Sequence, residues 1–248
     1  MTVGRSVAGS GRRGGWRDAA ALGGSLLPAA IAALTLARVG GLPWLPGVLL
    51  VGLVTSGVLA TLHANGHRRP FGLANGVTLL RLDLAACLLA AVWVGPEPLP
   101  LGARPAWAVF ALAALALALD GIDGWLARRR GEASAFGARF DMASDTFLAI
   151  VLALCAWRFV GLAPWVLAIG LLRPAFVTAG LAWPRLAAPL PPSRWRRAAC
   201  GTALLLLVMT LAPPLARVAP WLAAGSLLIL LHSFGRDIRR LLDRRQTA

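Results

Sequence analysis

Four aspartates lie within a short part of a strongly apolar sequence, where each could bind a cation or move a proton. Asp120 and Asp123 are three residues apart, and Asp141 and Asp145 are four residues apart. Because residues at these spacings share one face of an α-helix, the sequence predicts two helices that each carry a pair of carboxylates. Small residues on the same two faces would allow the backbones to approach closely, and they include Gly124, Ala127 and Gly137.

The cost of burying these carboxylates indicates what they bind. An ionised aspartate at the centre of a bilayer costs roughly 2.5 to 3.5 kcal/mol on insertion scales, and less near the interface. Four converging carboxylates also repel one another, so either several stay protonated or cations neutralise them. Oxygen ligands without a nearby histidine or cysteine favour Mg²⁺ or Mn²⁺ over Zn²⁺. Two such ions could hold the phosphates of a nucleotide substrate, while a spare carboxylate takes a proton from an attacking alcohol.

The carboxylates alone leave other interpretations open. They could line a polar cavity, or bind a permeating cation in a transporter or channel. A transport path predicts carboxylates that are spread between both membrane faces, whereas these four lie at the adjoining ends of two consecutive apolar segments. The spacing therefore favours an enzyme, with a cation-coupled transporter or channel as the alternative.

The elements that carry the aspartates are predicted to be membrane-spanning helices. The chain has 248 residues, of which 58% are hydrophobic and 14% charged, and its mean hydropathy is +0.72. Segments of the length needed to cross the hydrocarbon as helix recur along the sequence. We place them at 20–37, 44–62, 75–95, 106–127, 138–157, 160–180, 198–215 and 219–234. This pattern predicts an all-α, polytopic membrane bundle.

The arginines predict how these helices are oriented. Arginines at 5–17, 68–69, 128–139, 185–197 and 236–245 fall on one side, whereas the other side holds only Arg38, Arg104, Arg158 and Arg217. Because basic residues near span ends stay in the cytoplasm, we expect both termini and the aspartates at the cytoplasmic face. The formal charge of +15 follows this topology and also fits membrane lipid, so we expect no nucleic-acid partner. The two acidic helices, joined by a short basic turn, should be antiparallel neighbours.

Tryptophan and cysteine have simpler interpretations. Several of the ten tryptophans stand near predicted span ends, as in an interfacial aromatic belt. Cys87, Cys155 and Cys200 lie within or at the edge of apolar segments, so we expect buried thiols and neither a disulfide nor a CxxC metal site.

The acidic residues carry a family resemblance. The pattern Asp-x2-Asp-Gly-x2-Ala-Arg-x8-Gly-x3-Asp-x3-Asp, which begins at Asp120 and ends at Asp145, resembles the CDP-alcohol phosphotransferases at all eight positions. Upstream, Asn75, Thr78 and Arg81 match the first core helix of that family, although Ala74 replaces its usual proline. The resemblance covers 73–248 and implies a six-helix core. Residues 1–72 would form a cytoplasmic tail and two extra transmembrane helices.

The resemblance implies a reaction and a role for each matching residue. Similar enzymes transfer a phosphatidyl group from a CDP-linked lipid, such as CDP-diacylglycerol, to an acceptor alcohol and release CMP. They bind two divalent ions, Mg²⁺ or Mn²⁺. They are proteins of the inner membrane, and they form homodimers. The implied metal ligands are Asp120, Asp123 and Asp141, with Asp145 as the general base close to a metal. The implied nucleotide-binding residues are Thr78, Arg81, Gly124, Ala127, Arg128 and Gly137.

Further arginines bear on the acceptor alcohol. Arg173 is a charge inside a predicted span, and Arg194, Arg196 and Arg197 belong to a basic loop similar to one near the acceptor in some relatives. They favour a phosphorylated acceptor, glycerol 3-phosphate or an inositol phosphate, although topology alone would also explain them. Arg81 also lies inside a span and needs a partner. We expect that partner to be a carboxylate of a facing helix rather than Asp83.

Overall fold

The computed structural model describes residues 52, 73–94, 104–130, 135–183, 186, 188 and 193–243, and within them the side chains at 94, 123–128, 130, 135–136 and 243 are not described. The predicted span at 20–37 lies outside these residues, and of the predicted span at 44–62 only residue 52 is described. The division at residue 72 therefore stays a prediction.

Every regular element in the described part of the chain is helical, which confirms the all-α prediction. The six α-helices are α1 (Leu73–Val94), α2 (Arg104–Arg130), α3 (Ala135–Val160), α4 (Leu167–Ala182), α5 (Arg194–Met209) and α6 (Ala219–Asp243). Short 3-10 helices at Pro164–Val166 and Pro213–Leu215 precede α4 and α6. These six helices correspond to the six predicted core spans.

The boundary between α3 and α4 shows how the sequence ends a helix. Gly161 follows α3 with φ +77°, a conformation that side-chain-bearing residues rarely adopt. A Cβ atom added at Gly161 would meet no atom within 4 Å. The backbone conformation, rather than a lack of space, therefore favours glycine at this position. Pro164 then begins the 3-10 helix that leads into α4.

Helix α1 is the central helix of the described bundle. It is apolar on nearly all faces, and 67% of its membrane-spanning window is buried inside the protein. Among the described residues it packs along both α2 and α3, whereas those two helices contact each other at few positions. This differs from the predicted direct pairing of the two acidic helices. A helix without a polar face can be surrounded by partners, and here α1 lies between the two.

The surface of the bundle fits a membrane. Four described helices are long and apolar enough to cross it: Leu73–Trp93, Arg104–Ile122, Gly137–Val160 and Pro164–Ala182. Large apolar side chains, including Leu181 and Trp221, are exposed on the protein surface, where lipid would cover them. Cys87 and Cys155 are buried as predicted, whereas Cys200 is partly exposed.

Candidate active site

Arg81 of α1 joins the two acidic helices. Its guanidinium is fully buried, and Nη1 donates to Asp120 Oδ1 on α2. Nη2 donates to Asp141 Oδ1 on α3 at 2.7 Å and to the Asp141 carbonyl oxygen at 3.3 Å. Nε donates to Ser144 Oγ at 3.2 Å. One side chain of α1 therefore bonds groups of two other helices, α2 and α3, which confirms that its partners include carboxylates of facing helices.

Asp145 completes the group of carboxylates. Its Oδ1 lies 3.2 Å from Arg81 Nη1, but this buried oxygen has no hydrogen-bond partner among the described residues. The side chains of Asp120, Asp141 and Asp145 are 33%, 43% and 27% exposed, while that of Arg81 is 0% exposed. The carboxylates thus contact the guanidinium on their inner side and can be reached from outside.

Local sequence explains why these atoms meet. Ser144 and Asp145 follow Asp141 by three and four residues, so all three lie close together on α3. Thr78, one turn before Arg81, is buried and donates its hydroxyl to the Ala74 carbonyl oxygen at 3.2 Å. That bond satisfies a polar group inside an apolar helix.

The three carboxylates fit a divalent metal ion. Each of Asp120, Asp141 and Asp145 offers an oxygen, and these atoms lie within 4.8 Å of one another. When all three carboxylates are ionised, the single guanidinium leaves an excess of negative charge in the cluster, which a divalent cation would balance. Oxygen ligands of this kind suit Mg²⁺ and Mn²⁺.

Comparison with known proteins identifies the family. The sequence profile of the CDP-alcohol phosphatidyltransferases matches residues 71–230. The chain belongs to this family. It is 30% identical over 191 residues to probable phosphatidylglycerophosphate synthases from two strains of Mycobacterium tuberculosis, an alignment that covers 74% of this chain and 90% of each relative. No solved structure matches.

Membership decides between the interpretations that the aspartates left open. This CDP-alcohol phosphatidyltransferase is a membrane transferase of phospholipid synthesis. The family is generally dependent on divalent metals and uses CDP-alcohol lipid donors with alcohol acceptors. The transporter alternative is therefore not needed to explain the cluster.

Four of the predicted site residues lie on α2 but without described side chains. Asp123, Gly124, Ala127 and Arg128 have helical backbone, and their roles stay predictions. Gly137 lies on α3, one turn before Asp141, and is partly buried. The proposed metal, base and nucleotide roles of the other residues are likewise not tested by geometry alone.

The arginines predicted to bind the acceptor lie on α4 and α5. Arg173 is on α4, and Arg196 is on α5, which packs against both acidic helices. Arg173 and Arg196 are partly buried, whereas the neighbouring basic residues of α5 are exposed. The exposed residues are Arg194 and Arg197.

Sequence reasoning missed two polar residues of this region. Ser144 contacts Arg81, and its position three residues after Asp141 could have indicated that contact. Asp237 on α6 is 5% exposed and pairs with Arg196; an acidic residue within a strongly basic segment was the available signal. Asp83 is fully buried on α1, and no function follows from its position.

Proposed function

We propose that this transferase moves the phosphatidyl group of CDP-diacylglycerol to glycerol 3-phosphate, forming phosphatidylglycerophosphate and releasing CMP. The observation that carries this proposal is the meeting of three carboxylates from two helices within 4.8 Å. The name of the relatives that share 30% identity with this chain supports glycerol 3-phosphate over an inositol phosphate.

The carboxylates would divide two tasks. Asp120, Asp123 and Asp141 are the proposed ligands of two divalent ions, which when bound would stabilise negative charge on the two phosphates of the donor. Asp145 is the proposed general base, and the 27% exposure of its side chain supports access for an acceptor hydroxyl. The same carboxylate can remain close to a metal while it does so.

The reaction would proceed by displacement at phosphorus. Asp145 takes the proton of the acceptor hydroxyl, whose oxygen attacks the phosphorus that bears diacylglycerol. A new phosphorus–oxygen bond forms as the bond to the bridging oxygen breaks, and CMP leaves with that oxygen. Gly124, Ala127 and Gly137 would give the nucleotide room. Arg128 would meet its phosphates, while Thr78 and Arg81 would help to close the site. These roles follow the family pattern on residues 78–145.

The acceptor phosphate would be recognised by arginine. Arg173 lies on α4 and Arg196 on α5, and α5 packs against α3, which carries Asp145. A phosphate bound by these arginines would hold the acceptor with its hydroxyl toward Asp145. Arg194 and Arg197 are exposed and would contribute positive potential that attracts an anionic acceptor.

The proposed location is the cytoplasmic face of the inner membrane. The basic ends of α5 and α6, with Arg194, Arg197 and Arg240, are exposed in the same part of the chain that the positive-inside rule assigns to the cytoplasm. Water-soluble glycerol 3-phosphate would reach the site from that side.

An acceptor panel tests the proposal directly. Purified enzyme in detergent would receive CDP-diacylglycerol, Mg²⁺ and one acceptor from glycerol 3-phosphate, inositol phosphate, glycerol, inositol and serine. CMP release and the mass of the lipid product would be measured. We expect product with glycerol 3-phosphate and none with glycerol, its matched neutral control. Turnover with inositol phosphate, serine or inositol but not with glycerol 3-phosphate would overturn the proposed acceptor.

A further inference from the structure

An ion pair links α5 to α6 beside the proposed acceptor site. Arg196 Nη1 donates to Asp237 Oδ2 at 3.3 Å. The Asp237 side chain is 8% exposed, whereas that of Arg196 is 31% exposed. The acid is thus enclosed in the protein while the guanidinium also reaches the surface.

A second set of contacts fixes the same turn of α5. Ser193 caps the helix, its Oγ accepting from the Arg196 backbone N–H at 3.4 Å. The Trp195 ring meets His232 edge-on with centroids 6.3 Å apart, and Arg236 Cζ lies 6.0 Å from the Trp195 ring centroid. Consecutive side chains of α5 therefore contact one face of α6, which restricts where the Arg196 side chain can point.

Helix α5, which carries Arg196, packs against both acidic helices, α2 and α3. Asp120 lies on α2, and Asp141 and Asp145 lie on α3. Arg196 is therefore held on a helix next to the carboxylates, where the proposed acceptor phosphate would bind.

We propose that Asp237 is a positioning residue that orients Arg196 for the phosphate of the acceptor; this inference rests on the proposed function. A guanidinium has five N–H donors in a fixed planar arrangement, more than one carboxylate contact can use. An arginine already fixed by an acid loses less side-chain freedom when it binds an anion. Asp237 touches neither substrate, and its effect on the reaction passes through Arg196.

The competing explanation is a purely structural, fastening role, in which Asp237 only stabilises the packing of α6 on α5. The chain offers a matched control for that role, because Ser226 Oγ of α6 donates to the Ala203 carbonyl oxygen of α5 at 2.9 Å. Ser226→Ala removes a contact between the same two helices without touching the ion pair. A fastening role predicts that Asp237→Asn and Ser226→Ala behave alike.

Steady-state kinetics of the full-length enzyme separate the two explanations. Asp237→Asn should raise KM for glycerol 3-phosphate about tenfold, as expected for the loss of a charge-assisted contact. Its kcat and its KM for CDP-diacylglycerol should stay within about twofold of wild type. Asp237→Glu should restore most of the acceptor affinity, and Ser226→Ala should leave both KM values unchanged.

A double-mutant cycle shows whether Asp237 acts through Arg196. Arg196→Gln should raise the acceptor KM by itself, and adding Asp237→Asn should raise it little further. An unchanged acceptor KM in Asp237→Asn, equal increases in both KM values, or additive effects in the double variant would each overturn the inference. If wild type uses no phosphorylated acceptor, the proposed function fails first; if it uses glycerol 3-phosphate and Asp237→Asn has no effect, only this inference fails.

Discussion

Arg81 Nη2 donates to Asp141 Oδ1 at 2.7 Å, so the central helix α1 is bonded directly to the acidic face of α3. The same guanidinium bonds Asp120 on α2 and lies 3.2 Å from Asp145 Oδ1. A fully buried positive charge thus reduces the repulsion that three converging carboxylates would otherwise experience. Without this guanidinium, bringing the carboxylates of α2 and α3 together would cost more electrostatic free energy.

Arg81→Lys should inactivate the enzyme and destabilise it. An ammonium group cannot reproduce the planar contacts that Arg81 makes with Asp120, Asp141 and Ser144. Because displacements of about 1 Å in a catalytic group can cost roughly 10²-fold in rate, we expect a loss of about that size. CMP release and thermal unfolding in detergent would measure both effects.

The control for this substitution lies at the other end of α3. Arg158 Nε donates to the Val92 carbonyl oxygen of α1 at 2.9 Å, so Arg158→Lys also disturbs an arginine contact between α1 and α3. It should lower the unfolding temperature while folded protein keeps its specific activity. Equal activity losses in both variants would show that Arg81 affects the reaction no more than Arg158 does.

Asp145→Asn should stop turnover without unfolding the protein. The amide keeps the size of the side chain but cannot take a proton as a carboxylate does, and a general base contributes typically 10²- to 10⁴-fold to rate. We expect a loss in that range, read as CMP release, with an unfolding temperature close to that of wild type. Near-normal turnover would remove Asp145 as the base.

Ser144→Ala provides the neighbouring comparison on α3. It deletes the 3.2 Å bond from Arg81 Nε, whose net worth is about 1 kcal/mol, but leaves every carboxylate in place. A modest drop in stability with activity within about tenfold is expected. A loss as large as that of Asp145→Asn would show that the orientation of Arg81, rather than a proton acceptor, limits the reaction.

The sequence predicted the helices and the two acidic faces, because hydropathy and a spacing of three or four residues are local properties. Asp141 and Asp145 share a face in any α-helix. The sequence did not predict that α1 lies between α2 and α3, since local periodicity does not identify which helices are neighbours. Asp237 was missed for the same reason: its partner Arg196 is distant in sequence, and only the packing of α6 on α5 brings them together.

Removing divalent metal should abolish activity. The three carboxylates of Asp120, Asp141 and Asp145, whose oxygens lie within 4.8 Å of one another, predict that EDTA stops CMP release and that Mg²⁺ or Mn²⁺ restores it. Binding to the folded state alone should also raise the unfolding temperature. Full turnover in metal-free buffer, or no thermal shift with either ion, would contradict a metal site at these carboxylates.

Acceptor binding should protect Cys200 from alkylation. Cys87 and Cys155 are buried and Cys200 is partly exposed, so N-ethylmaleimide should label mainly Cys200. Glycerol 3-phosphate should slow this labelling if it binds near Arg196, one turn before Cys200 on α5; glycerol, its neutral control, should not. Intact-protein mass spectrometry would follow the rate, and equal labelling with both compounds would place the acceptor elsewhere.

Gly170→Ala should disrupt the packing of α4 on α3. A methyl group at Gly170 would lie 2.6 Å from Ile150 Cα and 3.0 Å from the Ala149 carbonyl oxygen, and backbone atoms cannot move aside without separating the helices. Overpacking of this kind costs typically 1 to 3 kcal/mol.

Gly201→Ala on α5 is the matched control, since a methyl group there meets nothing within 4 Å and should stabilise the helix by roughly 0.5 to 1 kcal/mol. Unfolding temperatures in detergent should therefore shift in opposite directions, and because α3 carries Asp141 and Asp145, activity should fall only in Gly170→Ala. Similar unfolding temperatures for the two variants would show that the two helices do not approach so closely.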